Sequence, residues 1–209
     1  MDVKEALQIP VFYRTLIFFF LSGMIIPSFS DIMYYFNLEV IHLNKSTISL
    51  LALLGFITLV LGTMIYNRFF KKGEFRTLIK YSVWITILDA VFTLVFVLRF
   101  NLVLHINDII FMVFTSAVTE TLSLAFTQMP TMVIYAKITP PHIEATVFAF
   151  LTGTHNFSRA VLSPMMGAFY NHHFVGVTST TLDNFYILII IYLVSSFVPL
   201  FLLWLIPLR

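Results

Sequence analysis

Asp89, Glu120 and Arg159 lie inside long apolar runs, and they are the residues through which this chain could do chemistry in a membrane. A charge near the bilayer midplane costs from about 3 kcal/mol to well above 10, so such groups face a protein interior, find partners and usually mark a transport path. Two acids against one base leave one carboxylate in excess, and in a low dielectric that carboxylate favours its protonated form. Two readings follow: a proton-coupling site, or an inert structural pair between Asp89 and Arg159.

The neighbours extend each charge into a stripe. Ser82, Thr86, Asp89 and Thr93 follow one another at spacings of four, three and four, which is one helix face. Ser116, Thr119, Glu120, Ser123 and Thr127 form a second stripe, and Thr152, His155, Asn156, Arg159 and Ser163 a third. Such stripes predict either a polar seam for a solute or hydroxyl bonding between helices. His155, one turn before Arg159, is a proton relay or a satisfied interior hydrogen-bonding group. Asp31 follows the break expected at Pro27 and is placed near the outer surface, as a helix-end charge or at a cavity mouth.

Enzymatic patterns are missing. The chain has no His-Glu-x-x-His zinc motif, no Gly-x-Ser-x-Gly elbow and no phosphate-binding Gly-Lys loop, so neither catalysis nor a cofactor is expected. His172 and His173 are adjacent in an expected loop and lack the geometry of a complete metal site. With no cysteine among 209 residues, a disulfide framework, thiolate metal ligation and a cysteine nucleophile are excluded.

The elements that must position these residues are membrane helices. Hydrophobic residues make up 59% of the chain and charged ones 11%, against roughly 25% charged in soluble domains. A net charge of +2 makes nucleic acid an unsuitable partner. Asp2, Lys4 and Glu5, followed by an overlong apolar run, do not read as a removable signal peptide. Units of about 20 apolar residues place spans at 11–36, 47–69, 78–100, 109–136, 145–170 and 185–206, which is one six-helix membrane domain. Ser46 and Asp108 are expected N-caps. Pro130, Pro164 and Pro199 are expected to kink the later helices.

Within these spans Asp89 lies roughly 18 Å, Glu120 about 17 Å and Arg159 about 21 Å from the start of its helix, all near the midplane. Nine of the twelve basic residues then fall on one side: Lys4, Arg14, Arg68, Lys71, Lys72, Arg76, Lys80, Lys137 and Arg209. Lysine and arginine are retained on the cytoplasmic side, so both termini are expected in the cytoplasm or its organellar equivalent. The same cluster also reads as a patch for anionic lipid.

Four segments carry a resemblance: IPSFSDIMYYF (26–36), GTMIYNRFFKKGEFR (62–76), TPPHIEATVFAFLTGTHNFSRAVLSPMMGAF (139–169) and LDNFY (182–186). They resemble the folate-biopterin transporter family of the major facilitator superfamily, over nearly the whole chain but only against the family's C-terminal six helices. The segment 62–76, with Arg68, Lys71, Lys72 and Arg76, sits where the superfamily has its cytoplasmic gating loop. Tyr66 and Asn67 stand where that loop usually has an acid.

The resemblance implies an all-α half-transporter of two inverted groups of three helices, with substrate held between two such halves. It also implies a folate, pterin or other small organic anion as substrate, with Arg159 and Glu120 at cavity positions and Asp89 on a peripheral helix. The partner is then a second six-helix half, as a homodimer or a separate chain. The reading from another class is a non-transporting accessory subunit of a larger membrane complex.

Overall fold

In lipid every backbone amide and carbonyl must be bonded within the protein, which leaves helices as the solution for apolar runs of this length. A computed structural model describes residues 9–71, 73–139 and 144–207, apart from the side chains of residues 116, 117 and 120. Among the described residues there is no strand.

The chain begins with α1 (Pro10–Ile25) and α2 (Ser30–Glu39), then α3 (Lys45–Ile65), which a π turn, Tyr66–Phe70, continues. Next come α4 (Phe75–Val97), the short α5 (Phe100–Val103) and α6 (Asp108–Met112), which runs through a π segment, Val113–Glu120, into α7 (Thr121–Ile138). Then α8 (Glu144–Phe157), a π turn (Ser158–Leu162), α9 (Ser163–Tyr170) and a further π turn (Asn171–Val175) form one stretch. The last stretch is α10 (Phe185–Ser196), α11 (Val198–Leu202) and a 3-10 turn (Leu203–Leu205). Among the described residues four stretches are long and apolar enough to cross a membrane: Pro10–Glu39, Lys45–Phe70, Phe75–Val97 and Phe185–Leu205.

α1 packs on α8 and α9, α3 on α7, and α4 on both α7 and α10, while α11 returns to α1. Two apolar clusters fill opposite ends. Phe12, Phe19, Phe75, Ile79, Tyr135 and Leu151 belong to one, and Phe36, Phe96, Phe111, Phe185 and Leu188 to the other.

The break expected at Pro27 is present between α1 and α2. A break exposes backbone groups that lipid cannot satisfy, and one residue of the fifth stretch takes both. The Ser163 hydroxyl donates to the Ile26 carbonyl at 2.7 Å, and the Ser163 carbonyl accepts from the Ser28 amide at 3.1 Å. Gly167 permits this approach, since a Cβ there would overlap the Ser28 carbonyl oxygen.

Three local expectations are corrected. Asn107, not Asp108, caps its helix, accepting from the Ile109 amide at 2.8 Å. Asp108 is instead gripped by both arms of Arg99 at 2.9 and 3.0 Å and by Asn101 at 2.7 Å. Arg99 occupies the left-handed region at φ 61°, a place glycine usually takes after a helix, and its forked bond to Asp108 offsets that cost. Ser46 lies inside the first turn of α3, whose cap position is Asn44 with no side-chain bond.

Lastly, His172 and His173 are helical, in the turn Asn171–Val175, and the loop begins at Gly176. Both hydrogen-bonding ends of the Asn171 amide tie the chain to Val177, at 2.7 and 2.8 Å, and fix that boundary. No group of three metal-binding side chains occurs among the described residues.

Candidate transport site

The stripes on α4 and on 113–138 run antiparallel and meet. Ser82 bonds Thr127, Thr86 bonds Ser123 at 2.5 Å, and Thr119 reaches Asp89 at 2.9 Å. The hydroxyls gain these partners while several also bond carbonyls one turn back, as Thr86 does to Ser82 and Thr127 to Ser123. Asp89 is buried, and the Tyr192 hydroxyl from α10 stands 3.5 Å from its second oxygen. Ser82, Thr86 and Asp89 thus bond across to the facing stretch.

The third stripe divides. His155 is 4% exposed, with its ring 5.2 Å from Phe19 and 6.4 Å from Tyr135, inside an aromatic cluster. Ser163 is spent on the α1–α2 break. Asn156 and Arg159 are exposed on the flank of the same stretch, so the single face expected for the five residues is two faces. The division begins within the helix, between adjacent His155 and Asn156, and the π turn Ser158–Leu162, wider than an α turn, carries Arg159 and ends just before Ser163. The stem of Arg159 crosses α1 at Gly23, where a Cβ would overlap Ser158 and press within 3.1 Å of the arginine Cγ.

The backbone of Glu120 closes the π segment Val113–Glu120, and its side chain lies outside the described residues. Asp31 is exposed in the first turn of α2, where a negative charge suits the helix dipole. In the segment after α3, Arg68 and Lys71 are exposed and Lys72 is outside the described residues. Arg76 is half-buried and reaches across the bundle, its Nε and Nη2 donating to the Ile206 carbonyl at 3.2 and 2.7 Å.

A family model described as the BT1 family matches residues 1–209. The chain belongs to the BT1 family.

Among its relatives are the probable folate-biopterin transporter 4 of Arabidopsis thaliana, 28% identical over 97% of this chain, and the folate-biopterin transporter of Synechocystis, 32% identical over 96%. The folate transporter 1 of Plasmodium falciparum is 22% identical over 94%. The chain spans 41, 40 and 38% of the lengths of these three, about two-fifths of each. No solved structure matches it. Membership in the BT1 family and the apolar helices together make this a multi-pass membrane protein, and the family relatives named above are transporters, not enzymes.

Sequence reasoning named no aromatic residue at the site of this BT1-family chain. Beside Asn156 a shallow cavity of about 300 Å³ is lined by Ala149, Phe150, Gly153, Thr154 and Phe157. Phe150 and Phe157 are 40% and 50% exposed, and nothing lies within 4 Å of where a Gly153 Cβ would stand. Their signal in the sequence was spacing: 149, 150, 153, 156 and 157 recur at three- and four-residue intervals on one face.

Proposed function

We propose that this chain is half of a folate/pterin-type transporter of major-facilitator architecture, moving a small organic anion by alternating access. The observation that carries the reading is the exposure of Asn156 and Arg159 in the middle of the stretch 144–175, about 22 Å from its start. On a lone bundle that flank would meet lipid, at a cost of at least about 3 kcal/mol for a cation. A second six-helix half covering the flank turns it into one wall of a cavity. The relatives' greater length accommodates such a half, and the span Lys45–Phe70, only 6% buried against 39% for Phe75–Val97, leaves a further face for it.

The packing supports an inverted 3+3 arrangement, with Pro10–Glu39, Lys45–Phe70, Phe75–Val97, 108–138, 144–175 and Phe185–Leu205 as six spans. Exchanging the first three for the last three turns the first–fifth contact into the second–fourth, and the third–fourth into the first–sixth. All four contacts are made, and the third–sixth contact maps onto itself. Both termini face the cytoplasm or its organellar equivalent in this reading.

Arg159 offers a forked pair of charge-assisted bonds to a substrate carboxylate. Phe150 and Phe157 offer faces to a flat ring over Gly153. Glu120 is the residue assigned to proton coupling.

Uptake of folate and biopterin by membranes shown to contain the protein tests this. Arg159→Ala is expected to lower uptake at least tenfold, and Glu120→Gln to remove its dependence on a proton gradient. Unchanged uptake in both variants would sink the assignment. The assembly is tested by mass: a homodimer or a bound six-helix partner supports the transporter, whereas stoichiometric recovery within a larger non-transporting complex assigns an accessory subunit.

A further inference from the structure

We propose that the basic end of the bundle holds an acidic phospholipid, its phosphate on Lys137 and its glycerol and acyl carbons in a cavity between four helix ends. The cavity is about 450 Å³ and is lined by Ile9, Val11, Phe75, Lys137, Ile138 and Pro207. These residues come from the start of α1, the start of α4, the end of α7 and the end of the final stretch, so the cavity opens where helices leave the apolar layer. Among the described residues the lining holds one cation beside apolar side chains, which is the pattern an amphiphile matches. A free phosphate ion would gain nothing from the five apolar residues.

Lys137 is held in position. Its ammonium stands 4.9 Å from the centre of the Phe75 ring, at the cavity wall, and no carboxylate pairs with it among the described residues. The wall is anchored by the residue next to Phe75: Arg76 donates to the carbonyls of Trp204 and Ile206, at 3.4 and 2.7 Å, and so fixes the chain entering Pro207.

The surrounding field has the right sign. Arg14, Arg68, Lys71, Arg76, Lys80 and Lys137 lie at this end among the described residues, against Glu74 and Glu144. Clusters of four to eight lysines and arginines beside membrane helices attract anionic leaflets, and a basic pocket between helix ends selects a headgroup from them.

The test uses the purified chain in neutral detergent, with thermal unfolding and native mass spectrometry as readouts. Phosphatidylglycerol is expected to raise the unfolding midpoint by about 4 °C and to survive as a bound adduct. Equal phosphatidylcholine and inorganic phosphate are expected to do neither. Lys137→Gln, a change at an exposed side chain, should weaken the phosphatidylglycerol effect about tenfold, and Ile138→Trp should fill the cavity and abolish it. Lys45→Gln at the opposite end should leave it intact. Equal shifts with phosphatidylcholine, a shift with phosphate alone, or a full effect in Lys137→Gln would each overturn the proposal.

Discussion

Asp89 and Thr119 meet across the seam between α4 and the segment 113–120, with the carboxylate oxygen 2.9 Å from the hydroxyl. The hydroxyl also lies 2.5 Å from the Thr115 carbonyl, so it sits between a bond within its own helix and one to its neighbour. With Tyr192 on the other carboxylate oxygen, Asp89 joins three helical stretches. The Asp89–Thr119 bond continues the ladder of Ser82–Thr127 and Thr86–Ser123 along the seam.

Asp89→Asn is therefore expected to keep substrate uptake and to change stability by less than about 1 kcal/mol, because the amide oxygen still accepts from the Thr119 hydroxyl and the amide nitrogen can donate to the Tyr192 hydroxyl oxygen. Asp89→Leu, which leaves those hydroxyls facing an apolar side chain, should destabilise by about 2 to 4 kcal/mol. Thermal unfolding in detergent measures both. Loss of uptake in a stably folded Asp89→Asn protein would return Asp89 to the transport path.

Two glycines of the fifth stretch should respond in opposite ways. Gly167→Ala drives a methyl into the Ser28 carbonyl at the α1–α2 break and is expected to cost about 1 to 3 kcal/mol. Gly153→Ala meets open space and should be neutral or stabilising by up to about 1 kcal/mol through helix propensity. A comparison of unfolding midpoints checks the pair, and equal losses at both positions would contradict the close approach at Gly167.

Arg76 is expected to act at the far end of the chain. Its bonds to Trp204 and Ile206 satisfy carbonyls that the last helical turn leaves open. Arg76→Ala should cost about 1 to 3 kcal/mol and raise protease access or hydrogen exchange around Leu203–Leu205, with Arg76→Lys recovering part of the loss. Protection that stays unchanged at Leu203–Leu205 in Arg76→Ala would show that the anchor is not what holds this end.

Much of the organisation was legible before folding was considered. The apolar runs, the break at Pro27 and the shared face of Ser82, Thr86 and Asp89 are local properties, and each is found in the structure. The use of each stripe was not legible, because a period of 3.6 residues defines a face without naming its neighbour. Ser163 illustrates the gap: its spacing placed it with Arg159, whereas its bonds go to Ile26 and Ser28, on the first stretch. Phe150 and Phe157 were hidden for the opposite reason, since among 24 phenylalanines only exposure beside a cavity distinguishes them.

The sequence by itself determined that the chain enters a membrane as helices, where they break, and which residues are too polar to face lipid alone. Transfer free energies and backbone propensities are summed over neighbours along the chain, so they need no knowledge of the fold. Only the tertiary structure decided which polar groups hold the bundle together from within and which lie on an exposed flank. Asp89, Ser163 and Arg76 are bonded to partners as far as 137 residues away, and Asn156 and Arg159 lie on an exposed flank. A hydrogen bond is settled over about 3 Å in space, and that proximity exists only once the helices have packed.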